Sequence, residues 1–194
     1  MLALKINTGL TECGTDEAGR GCLAGPVTAA AVILPDNFSH PWLNDSKQLS
    51  LKKRELLRTL ILEESLDHAV AHVMMEDIDR INILNASIRA MHEAINLLSP
   101  QPDFIAVDGN RFKPYGSTPY QCVIKGDSKY QHIAAASILA KTTRDRYMST
   151  IDALHPEYGW RQNQGYPTKA HRAAIEQFGP TPFHRMSFRL LPDP

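Results

Sequence analysis

The residues with the clearest chemical potential lie at 16–21. There Asp16 and Glu17 stand side by side and are followed, after one alanine, by Gly19, Arg20 and Gly21. Carboxylate pairs of this kind bind hard divalent cations through oxygen. A Gly-Arg-Gly turn lets backbone amides approach a ligand closely while the guanidinium faces an anion. Acids for a metal, joined to a turn that faces phosphate or sugar, predict metal-assisted chemistry on a phosphodiester. The competing reading is a strand ending in a solvated acidic turn, the ordinary fate of an isolated Asp-Glu pair.

Two further acids end apolar runs. Asp108 closes Asp-Phe-Ile-Ala-Val-Asp ahead of Gly109, and Asp127 closes Tyr-Gln-Cys-Val-Ile-Lys-Gly-Asp. Ligands collect at strand ends of an open α/β sheet, so these groups can converge although Asp108 and Asp127 lie 92 and 111 residues beyond Asp16. Converging carboxylates raise one another's pKa unless a cation neutralises them, so the set implies Mg²⁺ or Mn²⁺. Singly, Asp108 and Asp127 read as turn formers beside glycine; with Asp16 and Glu17 they read as a site. Successive strand residues point to opposite faces. Glu17 must therefore sit where the strand bends into the turn, or reach around the edge.

The elements that must carry these groups are legible from periodicity. A strand leads into Asp16, and Val27 to Pro35 is a second strand joined to it through the glycine-rich turn. Ser50 can cap a helix to about Leu66 with Leu51, Leu56, Leu57, Leu60 and Ile61 as its apolar stripe. His68 to Met75 alternates as a third strand, and Ile83 to Leu98 has helical spacing before Ser99 and two prolines stop it. Short strands ending on Asp108 and Asp127 follow, then a long helix over Ile133 to Leu154 whose small-residue start, Ala-Ala-Ala-Ser, suits close packing on a sheet. A shorter helix spans about Lys169 to Phe178. Alternation of strands and helices predicts an α/β fold, a mixed sheet flanked by helices, within a single domain over 1–194. The segment from about 160 to 194 reads as a short helical extension packed on it.

Composition narrows the class. The 194 residues carry 21 basic and 21 acidic side chains, so a generic nucleic-acid coat protein is disfavoured. Residues 1–100 hold 9 basic and 13 acidic groups, whereas 141–194 hold 8 and 5, which suits an acidic metal site beside a flank that grips phosphate locally. No apolar run approaches the roughly 20 residues a membrane helix needs, and the start lacks the features of a signal peptide. Cys13, Cys22 and Cys122 have no metal spacing and read as thiols in a reducing cytoplasm. A cytoplasmic protein, without a membrane partner and monomeric, is the expectation.

The motifs DEAGRGCLAGPV, NDSKQLS, VDGNR, KGDSK, AAASILAKTTRDR, GYPTKAH and HRMSF resemble, in order and spacing, bacterial ribonuclease HII, the type 2 ribonuclease H, over about Cys13 to Phe188. The resemblance implies a ribonuclease H-like fold. It also implies cleavage of RNA in RNA/DNA hybrids and nicking of duplex DNA 5′ to an embedded ribonucleotide. On this likeness Asp16, Glu17, Asp108 and Asp127 are the catalytic, metal-binding acids. Gly19, Arg20 and Gly21 contact the 2′-hydroxyl and neighbouring backbone. Tyr166 packs on the following deoxyribose, and Lys47 contacts phosphate. Asn163 and Gln164 stand where many relatives carry a basic residue, and Gln48 replaces a frequent second lysine.

A two-ion mechanism follows from that resemblance, with Asp16 bridging and products ending in a 3′-hydroxyl and a 5′-phosphate. Selectivity must come from the 2′-hydroxyl, the group that separates RNA from DNA. Two rivals remain: a related nuclease acting on DNA junctions, and a non-catalytic hybrid-binding module. Other residues carry simpler readings. Asp145 is an ion-pair partner on the long helix. Ser137 and Lys141, one turn apart, face phosphate or pack. His184, Arg185 and Ser187 touch DNA or pin the tail, and His68, His72 and His92 are structural or exposed. Met74 and Met75 belong to the core.

Overall fold

A computed structural model describes residues 2–43 and 50–192. Five strands form one mixed sheet among these residues: β1 (Glu12–Ala18), β2 (Val27–Ile33), β3 (Asp67–Val73), β4 (Phe104–Asp108) and β5 (Tyr120–Val123), in the order β3-β2-β1-β4-β5. β2 runs antiparallel to both β1 and β3, whereas β4 is parallel to β1 and to β5. The helices are α1 (Leu51–Glu64), α2 (Met75–Ile81), α3 (Ile83–Asn96), α4 (Gln131–Leu154), α5 (Trp160–Asn163) and α6 (Lys169–Phe178).

β2 is buried at every position, which explains its lack of polar alternation. Ala29, Ala31 and Ile33 face the cluster around α3, with Ala90, Met91, Ala94 and Ile95. Ala30 and Val32 face the cluster on the other side, with Leu57 and Ile61 of α1 and Ala134, Ala135, Ile138 and Leu139 of α4. Small side chains on both partners let α4 lie close to the sheet. At Gly14 a Cβ would stand 2.3 Å from the His132 carbonyl carbon, so β1 and α4 touch backbone to backbone. A third cluster joins Leu23 and Ala24, from the β1–β2 connection, to Met148 and Ile151 of α4 and to Tyr158, Trp160, Ala174 and Ile175.

Caps follow the sequence. Ser50 accepts from the Lys53 amide, and Thr168 accepts from the His171 amide to start α6. Three readings need correction. Leu51 and Leu56 are exposed, and the stripe of α1 narrows to Leu57 and Ile61 as its fully buried members. Met74 is 39% exposed, whereas Met75 is buried at the start of α2, a helix the periodicity did not suggest, as is α5. Asp127 does not end a strand: β5 stops at Val123, Lys125 turns through a left-handed conformation, and Asp127 lies in a 3₁₀ turn over 126–128. No described helix is long and apolar enough to cross a membrane.

Buried histidines impose a pH dependence on this fold. His132 Nε2 lies 2.6 Å from Glu12 Oε1, and its Nδ1 accepts from the Ile133 amide, so the ring is a neutral Nε2–H donor to a carboxylate. Burial lowers the pKa of His132 and of His171, and burial beside His171 lowers that of His184 to about 4. The unfolded chain therefore takes up protons near pH 6.5 while these rings stay neutral in the folded state. Stability present above that pH should be lost as the pH falls towards 4. Thermal melts across pH 8 to 4 should show this decline, and His184→Asn should flatten its lower part.

Candidate active site

The register of the sheet creates the site. Parallel pairing of β1 with β4 ends at Thr15 opposite Val107, and the next residue on each strand is an acid, Asp16 and Asp108. Asp16 faces α4, where the Ser137 hydroxyl hydrogen-bonds its carboxylate. Glu17, on the opposite face, reaches past the sheet towards the α3 side, where Ser87, Ile88 and Met91 line a small cleft with it and Asp108. Both side chains still line one larger cavity of about 490 Å³, together with Asp108, Gly19, Arg20 and Gly21. The long glutamate side chain solves the alternation problem at the point where the two strands separate.

Electrostatics in this cavity are unfavourable for bare carboxylates. Asp16 is 6% exposed, and its pKa is pushed well up by burial, then by the charges of Glu17 and Asp108. Burial also raises the pKa of Glu17, partly offset by the Arg20 guanidinium, whose Nη1 donates to Glu17 Oε1 at 3.1 Å. Glu17 Oε2 is buried without a hydrogen-bond partner. Asp108 Oδ1 accepts from the Gly126 amide at 2.6 Å and more distantly from that of Asp127 at 3.4 Å. Gly126 suits this approach, since a Cβ there would stand 3.3 Å from Asp108 Oδ1 and 2.7 Å from Ile133 Cδ1.

Asp127 is 3% exposed and does not line the cavity; it meets the acidic set through that backbone amide. Among the described residues no three His, Cys, Asp or Glu side chains are gathered to metal-holding distance. Arg20 faces Glu17 rather than open solvent alone, with its side chain 48% exposed. Tyr166 lines the same cavity, its ring edge 4.0 Å from where a Gly21 Cβ would stand. Lys47 falls outside the described residues.

Other cavity residues carry positive charge. Lys141 and Arg54 line it, and both meet Asp145, which is the ion-pair partner its sequence context suggests. Arg54 was not singled out by sequence reasoning; the signal was its place one turn beyond the Ser50 cap, on a helix that starts beside the cavity. Arg185 does pin rather than protrude: it is fully buried, with Nε on the Gly25 carbonyl and Nη1 on the Arg20 carbonyl. Ser187 hydrogen-bonds Asp79. His68, His72 and His92 hydrogen-bond Ser65, Thr28 and the Lys113 carbonyl, as structural residues do.

Because ionised Asp16 is costly in the folded state, its stability contribution is present at low pH and lost as the pH rises through its elevated pKa. Asp16→Asn should therefore raise the melting temperature at pH 7–8 in a chelating buffer, with the gain shrinking as the pH falls into the carboxylate range. An unchanged or lower melting temperature at pH 7–8 would show that the carboxylate is not under this strain.

Comparison with known proteins gives this geometry a family. The family model described as Ribonuclease HII matches residues 13–191. A Ribonuclease HII from Christiangramia forsetii is 62% identical over 187 residues, covering 96% of this chain and 94% of that protein. The crystal structure of ribonuclease H2 from Pyrococcus horikoshii OT3 superposes with a TM-score of 0.79 at 26% identity, covering 92% of this chain and 94% of that one. Bst-RNase HIII, solved in complex with Mn²⁺, shares the fold at a TM-score of 0.69 and 19% identity, over 93% of this chain and 68% of that one. The fold is thus ribonuclease H-like, as the motifs led one to expect. The chain belongs to the ribonuclease HII family.

Proposed function

We propose that this chain, by family an endoribonuclease of RNA/DNA hybrids, also nicks duplex DNA on the 5′ side of a single embedded ribonucleotide. The observation that supports this best is one cavity lined together by Asp16, Glu17 and Asp108 and by the Gly19–Gly21 loop and Tyr166. Charge for a phosphodiester and a surface for its sugar therefore share one cavity. We treat the chain as one catalytic unit, because the third core cluster joins the C-terminal helices to the loop that forms this cavity.

The chemistry of the donors suits Mg²⁺ or Mn²⁺, although binding would have to draw the carboxylates closer together than they stand. All candidate ligands are hard carboxylate oxygens, Glu17 Oε2 is an orphaned buried acceptor, and a dication would relieve the repulsion that raises Asp16 and Glu17. Asp16, Glu17 and Asp108 would hold the ions, and Asp127, beside Asp108, would complete the set. A bound divalent ion supplies water activation and neutralisation of phosphate charge. In the overall hydrolysis water adds to phosphorus, the bond to the 3′-oxygen breaks, and that oxygen takes up a proton.

The chain's own residues position the strand. Backbone groups at Gly19 and Gly21 can meet a 2′-hydroxyl without side-chain bulk, and the Tyr166 ring offers a flat surface to the next sugar. Lys141 and Arg54, which line the cavity, would offer positive charge to a flanking phosphate. Lys47 is assigned the same task from its motif.

The first experiment compares labelled duplex DNA carrying one ribonucleotide with an all-DNA control, in Mg²⁺ or Mn²⁺ and in EDTA. A metal-dependent nick 5′ to the ribonucleotide is expected, with the control intact; cutting of the control would turn the reading to a DNA nuclease. Asp16→Asn and Asp108→Asn should each abolish cleavage while hybrid binding persists, and retained activity would remove these residues from the ion site. Tyr166→Ala should weaken single-ribonucleotide nicking more than cleavage of long hybrids. Equal losses would count against its place at the following sugar.

A further inference from the structure

We propose that Arg144 is a positioning residue that locks the connection at 19–26 to the loop carrying Tyr166, so that the ribose-facing backbone and the tyrosine ring form one surface. This inference rests on the function proposed above and concerns how that site keeps its selectivity.

Arg144 lies in α4 and is 1% exposed. Its guanidinium donates to three backbone carbonyls, each at 2.9 Å: Nε to Pro26, Nη2 to Ala24 and Nη1 to Gln164. Ala24 and Pro26 end the ribose-facing connection, and Gln164 stands two residues before Tyr166. Among the described residues no carboxylate forms a salt bridge with it. A buried charge without a counter-charge is expensive, and an apolar residue would fill the same space without that cost. What only a planar five-donor fork can do there is gather carbonyls from two distant segments at once.

The surrounding contacts show how closely the two segments are fitted. Gly19 has φ +92, and a Cβ on it would lie 2.0 Å from Arg144 Nε, so the turn rests directly on the guanidinium. The Leu23 amide donates to the Gly165 carbonyl at 2.7 Å. The Tyr166 side chain lies beside the Cys22 thiol. At Gly165, with φ +80, a Cβ would stand 2.5 Å from the Ala24 carbonyl oxygen. Arg185 holds the same connection through Gly25 and Arg20 but reaches no carbonyl of the Tyr166 loop. Arg144 is thus the side chain that spans both.

The test uses Arg144→Lys, which keeps the charge but not the fork. Small displacements of positioned groups can cost on the order of a hundredfold in rate, and such a loss is expected in kcat/KM for nicking at a single ribonucleotide. Cleavage of long hybrids should fall several-fold less. In the Tyr166→Ala background the lysine substitution should cause little further loss of selectivity, because the two residues act together. Amide exchange at Leu23 accelerated more than at core amides of β2 in Arg144→Lys is the accompanying readout, whatever the change in melting temperature. If Arg144→Lys does not fold, Gly165→Ala pushes the same segments apart with the guanidinium in place and should reproduce the selective loss. Equal losses on both substrates, additive losses with Tyr166→Ala, or unchanged Leu23 exchange would each overturn the proposal. If Tyr166→Ala alone shows no selectivity, the reading of Tyr166 fails separately, and Leu23 exchange then decides for or against Arg144.

Discussion

The site depends on a conflict that the sheet builds into itself. β1 and β4 pair in parallel up to Thr15 and Val107 and then part, and the first residue beyond on each strand is an aspartate. Glu17 adds a third carboxylate from the other face of the sheet. Burial and mutual repulsion disfavour ionisation of Asp16 and Glu17, so the folded chain stores electrostatic strain at one place. Such an arrangement makes sense where a cation is to be bound. It also explains why the surrounding acceptors and donors are so closely engaged: Gly126 on Asp108, Ser137 on Asp16 and Arg20 on Glu17.

The remaining architecture supports the two sides of that cavity differently. The acids stand at the ends of strands with helices packed on both faces, so their Cα positions are fixed by backbone pairing and close helix contact at Gly14. The part of the cavity formed by Gly19–Gly21 and Tyr166 is made of loops, which have no such ladder. Buried guanidiniums take its place, with Arg144 and Arg185 together donating to five carbonyls: Pro26, Ala24, Gln164, Gly25 and Arg20. Loops held this way keep an irregular path that a strand or helix could not follow, at the cost of burying charge.

The C-terminal segment contributes to this second side rather than standing apart. His171 Nδ1 donates to the Tyr166 carbonyl, while its Nε2 accepts from Trp160 Nε1 and faces His184 Nε2. His184 in turn accepts from the Thr181 amide. These neutral rings carry hydrogen bonds through an apolar cluster without adding charge near Arg144 and Arg185. The histidines of the Gly-Tyr-Pro-Thr-Lys-Ala-His and His-Arg-Met-Ser-Phe motifs are therefore internal supports of the Tyr166 loop.

Much of this was legible in the sequence because it depends on local rules. Alternation marked the third strand, short apolar runs bounded by turns marked the others, and helical spacing marked the long helices; Ser50 announced α1, and acids at the ends of apolar runs pointed to a site. The stripe of α1 was read too wide, because periodicity cannot say which leucines meet a neighbour: Leu51 and Leu56 match the helical spacing yet face outward. The strand drawn to Asp127 was too long because the left-handed turn at Lys125 is adopted by a residue that carries no local signal for it. By itself the sequence determined residue chemistry, element periodicity and, through ordered motifs, the family. Only the tertiary structure decided that Asp16 and Glu17 reach one cavity from opposite faces, and that Arg144 joins segments 138 residues apart. Both outcomes depend on where strand pairing ends and which carbonyls lie within reach, and those are distances between segments that no local pattern encodes.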